Sequence, residues 1–276
     1  MATLEKISFK YKKKQVFENF DLTIDKGKVY GLLGKNGAGK STLLYLMTGL
    51  LTSKSGKIEY DKKNVKHRLP SSLNEMFIVP EEFILPDISL KKYVKINSVF
   101  YPNFSNEQLK KNLECFDMDP DVNLQALSMG QKKKIFMSFA LATNTSLLVM
   151  DEPTNGLDIP GKSQFRKFIA SGMTDDKTIL ISTHQVKDVD NLLEQIIILD
   201  ENKILMNTSA TSICKKLRFV ESSNNILKED ALYAAPSIQG FNLILPNNND
   251  EETPLNLELL FNAMLENPNK LTDYLK

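Results

Sequence analysis

The sequence contains no tryptophan and only two cysteines among its 276 residues. Cys115 and Cys214 are far apart in the sequence, and neither belongs to a Cys-x-x-Cys pair. This spacing argues against a zinc knuckle or a dithiol redox motif, so we interpret both residues as free thiols in a reducing compartment. So little cysteine also excludes a small scaffold held together by disulfides.

The chain also lacks net charge and long apolar runs. Lys and Arg number 35 against 34 Asp and Glu, which leaves a formal charge of +1. That balance argues against a protein that mainly coats nucleic acid, and we expect no nucleic-acid partner. No segment approaches the ~18 consecutive apolar residues of a membrane-spanning helix, and the charged N-terminus is not followed by the apolar stretch of a secretory signal. If the protein acts on a membrane, a partner must cross it.

The distribution of apolar residues predicts an α/β fold. Near-continuous apolar runs at 29–34, 147–151 and 178–182 are typical of strands buried on both faces, and helical patterns follow them. Alternation at 7–11 and 20–24 predicts half-buried antiparallel strands. Further strands are predicted at 57–61, 76–80, 195–200 and 203–206, and helices at 40–50, 130–143, 162–171 and 186–193.

Two regions differ from this alternation. Residues 89–117 have helical spacing and charged faces, and we interpret them as two helices broken near Pro102. After about Ser209 the pattern weakens, apart from a last amphipathic helix near 255–265.

A glycine-rich turn between a buried strand and a helix fits the pattern G-x-x-x-x-G-K-[ST]. Its glycines allow backbone N–H groups to surround phosphate oxygens, and the following helix directs its positive end at them. Lys40 can reach the β- and γ-phosphates, and the Ser41 hydroxyl can ligate Mg²⁺. The predicted phosphate-binding residues are Gly34, Lys35, Asn36, Gly37, Ala38, Gly39, Lys40, Ser41 and Thr42.

Three further residues follow buried strands. Asp151 ends the apolar run 147–151 and can hold Mg²⁺ directly or through water, and Glu152 can act as the general base for an attacking water. Without the glycine-rich turn, a helix cap or a loop charge pair would explain this acidic pair as well. His184 ends the run after 178–182, where its imidazole could sense a γ-phosphate; a solvated structural histidine is the alternative.

Together these motifs resemble those of ATP-binding-cassette (ABC) ATPases, specifically the nucleotide-binding subunit of a transporter. GKNGAGKST resembles the family's phosphate loop, LSMGQ (127–131) its signature LSGGQ, and LLVMDEP its metal strand with the catalytic Glu. GLD (156–158) resembles the D-loop and ISTH (181–184) the switch histidine, and Tyr11 stands where the family places an aromatic ring against adenine. The resemblance covers roughly residues 3–208.

The resemblance implies a P-loop cassette with a mixed sheet, an antiparallel β subdomain and a helical subdomain at about 82–128. We therefore expect a cassette over 1–208 and a small C-terminal extension over 209–276. It also implies ATP and Mg²⁺ as cofactors and a head-to-tail dimer, either a homodimer or paired cassettes, with each ATP between one phosphate loop and the opposite signature. Ser128, Gly130, Gln131 and Asp158 would serve the opposite ATP, and Ser128 is the expected N-cap of the signature helix.

Two residues depart from the family pattern. Met129 replaces the usual signature glycine, which puts the geometry of that turn in question. Glu81 occupies the Q-loop position after Val79-Pro80, where the family usually has Gln. A carboxylate keeps an oxygen ligand for Mg²⁺ and adds negative charge, so we expect Glu81 to ligate the metal and to strengthen the dependence on Mg²⁺.

The single cassette and the tail LNLELLFNAML resemble ATPases of drug, bacitracin or lantibiotic exporters. The implied function is ATP hydrolysis that energises export through a separate transmembrane permease, with the cassette peripheral on the cytoplasmic face of the membrane. Two alternatives stay open: a soluble ABC ATPase without a membrane partner, as in cluster assembly, and a weakly active ATP-binding regulatory module. Simple packing of the tail helix is an equally good explanation of the tail.

Overall fold

The computed structural model describes residues 1–223, 228–249 and 251–275. The described strands, numbered in chain order, are β1 (Ala2–Tyr11), β2 (Lys14–Ile24), β3 (Val29–Leu33), β4 (Ser55–Tyr60), β5 (Lys63–Asn64), β6 (Met76–Val79), β7 (Leu147–Asp151), β8 (Thr178–Thr183), β9 (Gln195–Asp200), β10 (Lys203–Ser209), β11 (Leu217–Ser222), β12 (Tyr233–Ser237) and β13 (Gly240–Pro246). The described helices are α1 (Lys40–Met47), α2 (Pro70–Leu73), α3 (Leu90–Asn97), α4 (Asn106–Cys115), α5 (Met129–Ala142), α6 (Ile159–Gly172), α7 (Ala210–Lys216), α8 (Leu257–Glu266) and α9 (Pro268–Leu275).

A six-stranded sheet with the order β10-β9-β3-β8-β7-β6 forms the centre of the fold. The neighbours from β9 to β6 pair in parallel, and β10 returns as an antiparallel hairpin partner of β9. Every residue of β3, β7 and β8 is buried, which explains the continuous apolar runs that predicted them. The carboxyl ends of these parallel strands meet at one edge, where the phosphate loop follows β3.

A second, antiparallel sheet with the order β2-β1-β4-β5 packs against the first. Its apolar side shares a core cluster with α1 and with one face of the central sheet. The strands predicted at 7–11 and 20–24 are present but longer, because β1 and β2 form a hairpin whose last pair joins Tyr11 to Lys14. The predicted mixed α/β fold with an antiparallel subdomain is confirmed.

The predicted helical insert contains α3 and α4, with Pro102 between them. Serine hydroxyls cap both helices, Ser89 that of α3 and Ser105 that of α4. Their apolar faces form a small core of their own with Ile135 and Ala142 of α5. The insert therefore stands on the central sheet as a helical unit between β6 and β7.

Two predicted helices were wrong in extent or type. The helix predicted at 186–193 is two short 3₁₀ turns, Val186–Asp188 and Asp190–Leu192, separated by Val189. The buried Val189 leaves helical geometry at φ −130°, so an α-helix does not propagate. The helix predicted at 40–50 ends at Met47, because Gly49 adopts φ +69°.

The C-terminal residues form more regular structure than their sequence indicates. Strands β11, β13 and β12 make an antiparallel sheet in that order, and α8 matches the helix predicted near 255–265. The sheet and α8 bury apolar side chains in the same cluster as β3 and β8. The domain division at residue 208 remains a prediction. Within the described ranges, no helix has the length and apolarity to span a membrane.

Candidate nucleotide site

The loop between β3 and α1 can adopt its path only with glycine at particular positions. Gly37 and Gly39 have φ values of +83° and +101°, which side chains rarely tolerate. A Cβ on Gly34 would lie 2.6 Å from the carbonyl oxygen of Leu199. The helix α1 starts at Lys40 without a side-chain cap, so its first N–H groups face the loop as an anion-binding end.

Lys40 is buried at the floor of this loop, with 6% of its surface exposed. Its Nζ donates to the carbonyl oxygen of Gly34 at 2.8 Å and lies 3.4 Å from Oε1 of Glu152. The loop therefore holds one ammonium group close to the position that phosphate oxygens would occupy.

Asp151 ends β7 and is fully enclosed at 1% exposure. The Ser182 hydroxyl on β8 donates a short hydrogen bond to its Oδ1, while Oδ2 has no hydrogen-bond partner among the described residues. Burial raises the pKa of Asp151, and hydrogen bonds from Ser182 and Ser41 oppose this. A buried carboxylate oxygen without a partner, beside a serine hydroxyl, is a site that fits a hard cation.

Asp151 and Ser41 fit a Mg²⁺ site in which the protein supplies only some of the ligands. No cluster of three or more acidic, histidine or cysteine side chains suited to hold a metal occurs in the described part of the chain. Mg²⁺ at nucleotide sites takes one or two protein oxygens and completes its shell with phosphate oxygens and water. Asp151 and Ser41 supply such oxygens.

Glu152 adopts the left-handed conformation at φ 45°, which is unusual for a residue with a side chain. Its backbone N–H donates to the Ser182 carbonyl at 3.0 Å, and its Oε1 lies 2.9 Å from Nδ1 of His184. The side chain is nearly buried. Helix α6 begins only at Ile159, so the alternative in which the acidic pair caps a helix is not observed.

A hydrogen-bonded chain crosses the mouth of the site. Asn155 donates from Nδ2 to Oε1 of Glu81 at 2.9 Å, and Gln185 donates from Nε2 to Oδ1 of Asn155 at 3.0 Å. Glu81, at the predicted Q-loop position, is thereby joined to Asn155 in the turn after Glu152 and, through Asn155, to Gln185 next to His184.

Most of the predicted phosphate, metal and switch residues line one cavity of about 380 Å³, whereas Gly34, Lys35, Ala38 and Asp151 are not part of its lining. Its lining contains Tyr11, Asn36, Gly37, Gly39, Lys40, Ser41, Thr42, Glu81, Glu152 and His184, together with Lys14, Val16 and Asn202. The last three and Ser182 were not predicted. Ser182 could have been noticed in the sequence as a hydroxyl inside an apolar strand. Lys14 and Asn202 line the cavity because of the turns beside which they stand.

The signature residues are not part of this cavity. Ser128 caps α5 as predicted, in a capping box with Gln131, and Met129 is 58% exposed. Asp158 is exposed at the N-cap of α6. Ser128, Gly130, Gln131 and Asp158 therefore lie outside the cavity of their own chain.

Comparison with known proteins places the chain in a family. The sequence model described as "ABC transporter" matches residues 17–155. The chain belongs to the ABC transporter family. This ABC ATPase is 30% identical over 210 residues to the lantibiotic transport ATP-binding protein SrtF of Streptococcus pyogenes, covering 75% of this chain and 90% of the relative. It is 27% identical to the ABC transporter ATP-binding protein YtrB of Bacillus subtilis, over 74% of this chain and 70% of the relative.

Solved structures agree with the fold of this ABC ATPase. An ATP-binding subunit of an ABC transporter superposes with a TM-score of 0.70 at 21% identity, covering 77% of this chain and 91% of the other. The dimeric cassette MJ0796 gives a TM-score of 0.66 at 21% identity, covering 76% and 98%. The expected ABC cassette fold and ATPase class are confirmed.

Proposed function

We propose that this ABC ATPase binds ATP with Mg²⁺, hydrolyses it in a head-to-tail dimer and energises export through a separate transmembrane permease. One observation carries the dimer: Ser128 and Met129 are exposed at the N-terminus of α5, outside the cavity of their own chain. A helix N-terminus with a serine hydroxyl is suited to bind phosphate, so this end would complete the site of a second cassette.

Within the cavity, each side chain has a role that its position supports. Tyr11 is 45% exposed at the rim, where its ring can stack on adenine. Lys40 and the loop N–H groups would bind the phosphates. Asp151 and Ser41 would hold Mg²⁺, which neutralises charge on the phosphate oxygens, with Glu81 as a further oxygen donor.

Glu152 would act as the general base. Its carboxylate is already oriented by His184 at 2.9 Å and by Lys40 at 3.4 Å. A γ-phosphate would compete for both partners, and a carboxylate released from them can accept a proton from water. Binding of a γ-phosphate to His184 would thus act on Glu152, because the two side chains are in contact in the structure.

The permease would dock beside the Q-loop and the helical insert. Ile84 is 95% exposed, Val99 73% and Phe100 61%, and all three lie within residues 84–100. Exposed large apolar side chains in one region are typical of a protein–protein contact. Export is supported by the name of one relative, a Nod factor export ATP-binding protein, and transport by that of another, a lantibiotic transport ATP-binding protein. In this arrangement the cassette would lie on the cytoplasmic face of the membrane.

The decisive test is the mass in solution of Glu152→Gln with and without ATP and Mg²⁺. Removing the general base should stop hydrolysis and leave ATP binding intact, so a chain of 31.3 kDa should double in mass with ATP. Glu152→Gln combined with Lys40→Met should stay monomeric, because it lacks the phosphate-binding ammonium group. A Glu152→Gln protein that binds ATP and stays monomeric would contradict the homodimer, and full activity would remove Glu152 as the base.

A further inference from the structure

Lys133 is a buried lysine for which the predicted mechanism has no use. It lies on α5 with 5% of its surface exposed, on the same face as the buried Met137 and Ala140. Helical spacing predicts an apolar residue at this position. A buried ammonium group is costly unless its N–H donors are satisfied, so its partners are informative.

Among the described residues, both hydrogen-bond partners of Lys133 belong to one turn, residues 152–155, which contains the proposed general base. Its Nζ donates to the carbonyl oxygens of Glu152 and Asn155, each at 3.0 Å. The Asn155 N–H also donates to the Glu152 carbonyl at 3.2 Å, so one ammonium group closes a four-residue turn. Glu152 is the residue of this turn with φ 45°, a conformation that its surroundings must hold in place.

Nearby carboxylates partly offset the cost of burying the Lys133 ammonium group. Burial lowers the pKa of Lys133, while the carboxylates of Glu81, Glu152 and Asp151 act in the opposite direction. Glu81 and Glu152 line the cavity, and Asp151 precedes Glu152 at the end of β7. Lys133 adds a positive charge near these carboxylates, in addition to that of Lys40, which lies 3.4 Å from Glu152.

We infer that Lys133 is a positioning residue for hydrolysis, which holds the turn 152–155 so that the Glu152 carboxylate faces the phosphates. This inference rests on the proposed role of Glu152 as general base. Because Lys133 stands five residues after Ser128, the N-cap of the same helix, it joins the end of α5 that would contact the opposite ATP to the base of its own site. The helix and the catalytic turn would therefore move together when the dimer closes.

The experiment compares Lys133→Met with a matched buried lysine, Lys177→Met. Lys177 is also 5% exposed, but its Nζ bonds the Asn144 side chain at 3.3 Å, away from the cavity. Steady-state kinetics of ATP hydrolysis, nucleotide binding and hydrogen exchange of the amides at 152–156 are measured for both. Lys133→Met should lower kcat at least about tenfold with the ATP Kd within about threefold, and should speed exchange at 152–156. Lys177→Met should do neither.

A double variant tests whether Lys133 acts through Glu152. In the Glu152→Gln background, Lys133→Met should cause no further loss of the residual rate, because the group it positions is already gone. An additional tenfold loss there, or a wild-type kcat in Lys133→Met, would overturn the inference. If Lys133→Met does not fold, Lys133→Gln takes its place with the same criteria. A wild-type protein that does not hydrolyse ATP would instead refute the proposed function itself.

Discussion

The phosphate cavity and the signature turn differ in how completely one chain builds them. In the cavity, Lys40, Glu152 and His184 come from three separate segments, and Lys40 and His184 each contact the Glu152 carboxylate. At the signature turn, Ser128 forms a capping box with Gln131 and accepts a hydrogen bond from the Lys132 N–H within the same helix, and Met129 next to it is exposed. Both regions carry family motifs. The residues of the cavity contact other segments of the same chain, whereas the signature turn is exposed on the surface.

This difference indicates that binding and turnover depend on different surfaces. We expect a single chain to hold a nucleotide, because the predicted phosphate loop and the strand that ends at Asp151 are both formed within it. Groups that would complete the γ-phosphate contacts stand on the outer face. Substitutions in the two regions should therefore have separable effects on ATP affinity and on kcat.

The largest effects should be seen when two variants, Lys40→Met and Ser128→Arg, are compared. Lys40→Met removes the buried phosphate-binding cation, at a cost of about 2 kcal/mol or more, so the Kd for ATP should rise about thirtyfold. Ser128→Arg should leave the Kd within about twofold and lower kcat about a hundredfold, because it blocks the outward helix end. Calorimetric binding and a phosphate-release assay measure the two quantities.

The opposite pattern would break this comparison. If Ser128→Arg weakens ATP binding by the isolated chain as much as Lys40→Met does, the signature turn serves its own cavity. Lys132→Met, one residue after Gln131 on the same helix, provides a neighbouring control and should change both quantities little.

A smaller effect is expected at the mouth of the cavity, for Glu81→Gln. The amide keeps the oxygen that accepts from Asn155 but loses the negative charge, so the Mg²⁺ concentration for half-maximal ATPase activity should rise about threefold to tenfold. The neighbouring Glu82→Gln is the control, because Glu82 is exposed and does not line the cavity. An unchanged Mg²⁺ titration in Glu81→Gln would mean that Glu81 does not ligate the metal.

The smallest effect should follow Met129→Gly, which restores the usual signature residue. The Met129 side chain is 58% exposed at the first turn of α5, so its removal should change the free energy of unfolding by less than about 1 kcal/mol. We expect kcat within about threefold of wild type. A large gain in kcat would show that Met129 holds back closure of the dimer, and would weaken the view that this face tolerates the residue.

The sequence predicted most of the cassette because its signals are local. Strands such as β7 are continuous apolar runs, and Ser128 followed by Gln131 is a capping pattern. The helix expected at 186–193 was wrong because Val186 and Val189 are buried by packing against the sheet rather than by helical repetition. The sheet β11-β13-β12 was missed, since the short strand β12 is stable only through its pairing with β13.

The candidate site divides in the same way. Phosphate-loop spacing, strand-end carboxylates and the histidine after β8 could be read from the order of residues. Lys133 could not be assigned a partner, because the turn that it holds lies 19 residues and one strand further along the chain. The bridge from Glu81 through Asn155 to Gln185 likewise joins three segments that only the folded sheet brings together.

By itself, the sequence determined the chemistry available to this ABC ATPase, because glycine turns, caps and buried strands depend on near neighbours in the chain. Tertiary structure alone decided which side chains meet. Parallel pairing of β3, β8 and β7 brings Lys40, His184 and Glu152 to one edge, and the packing of α5 turns Lys133 inward and Met129 outward. Such contacts depend on the balance of packing and burial across the whole core, which no short segment encodes.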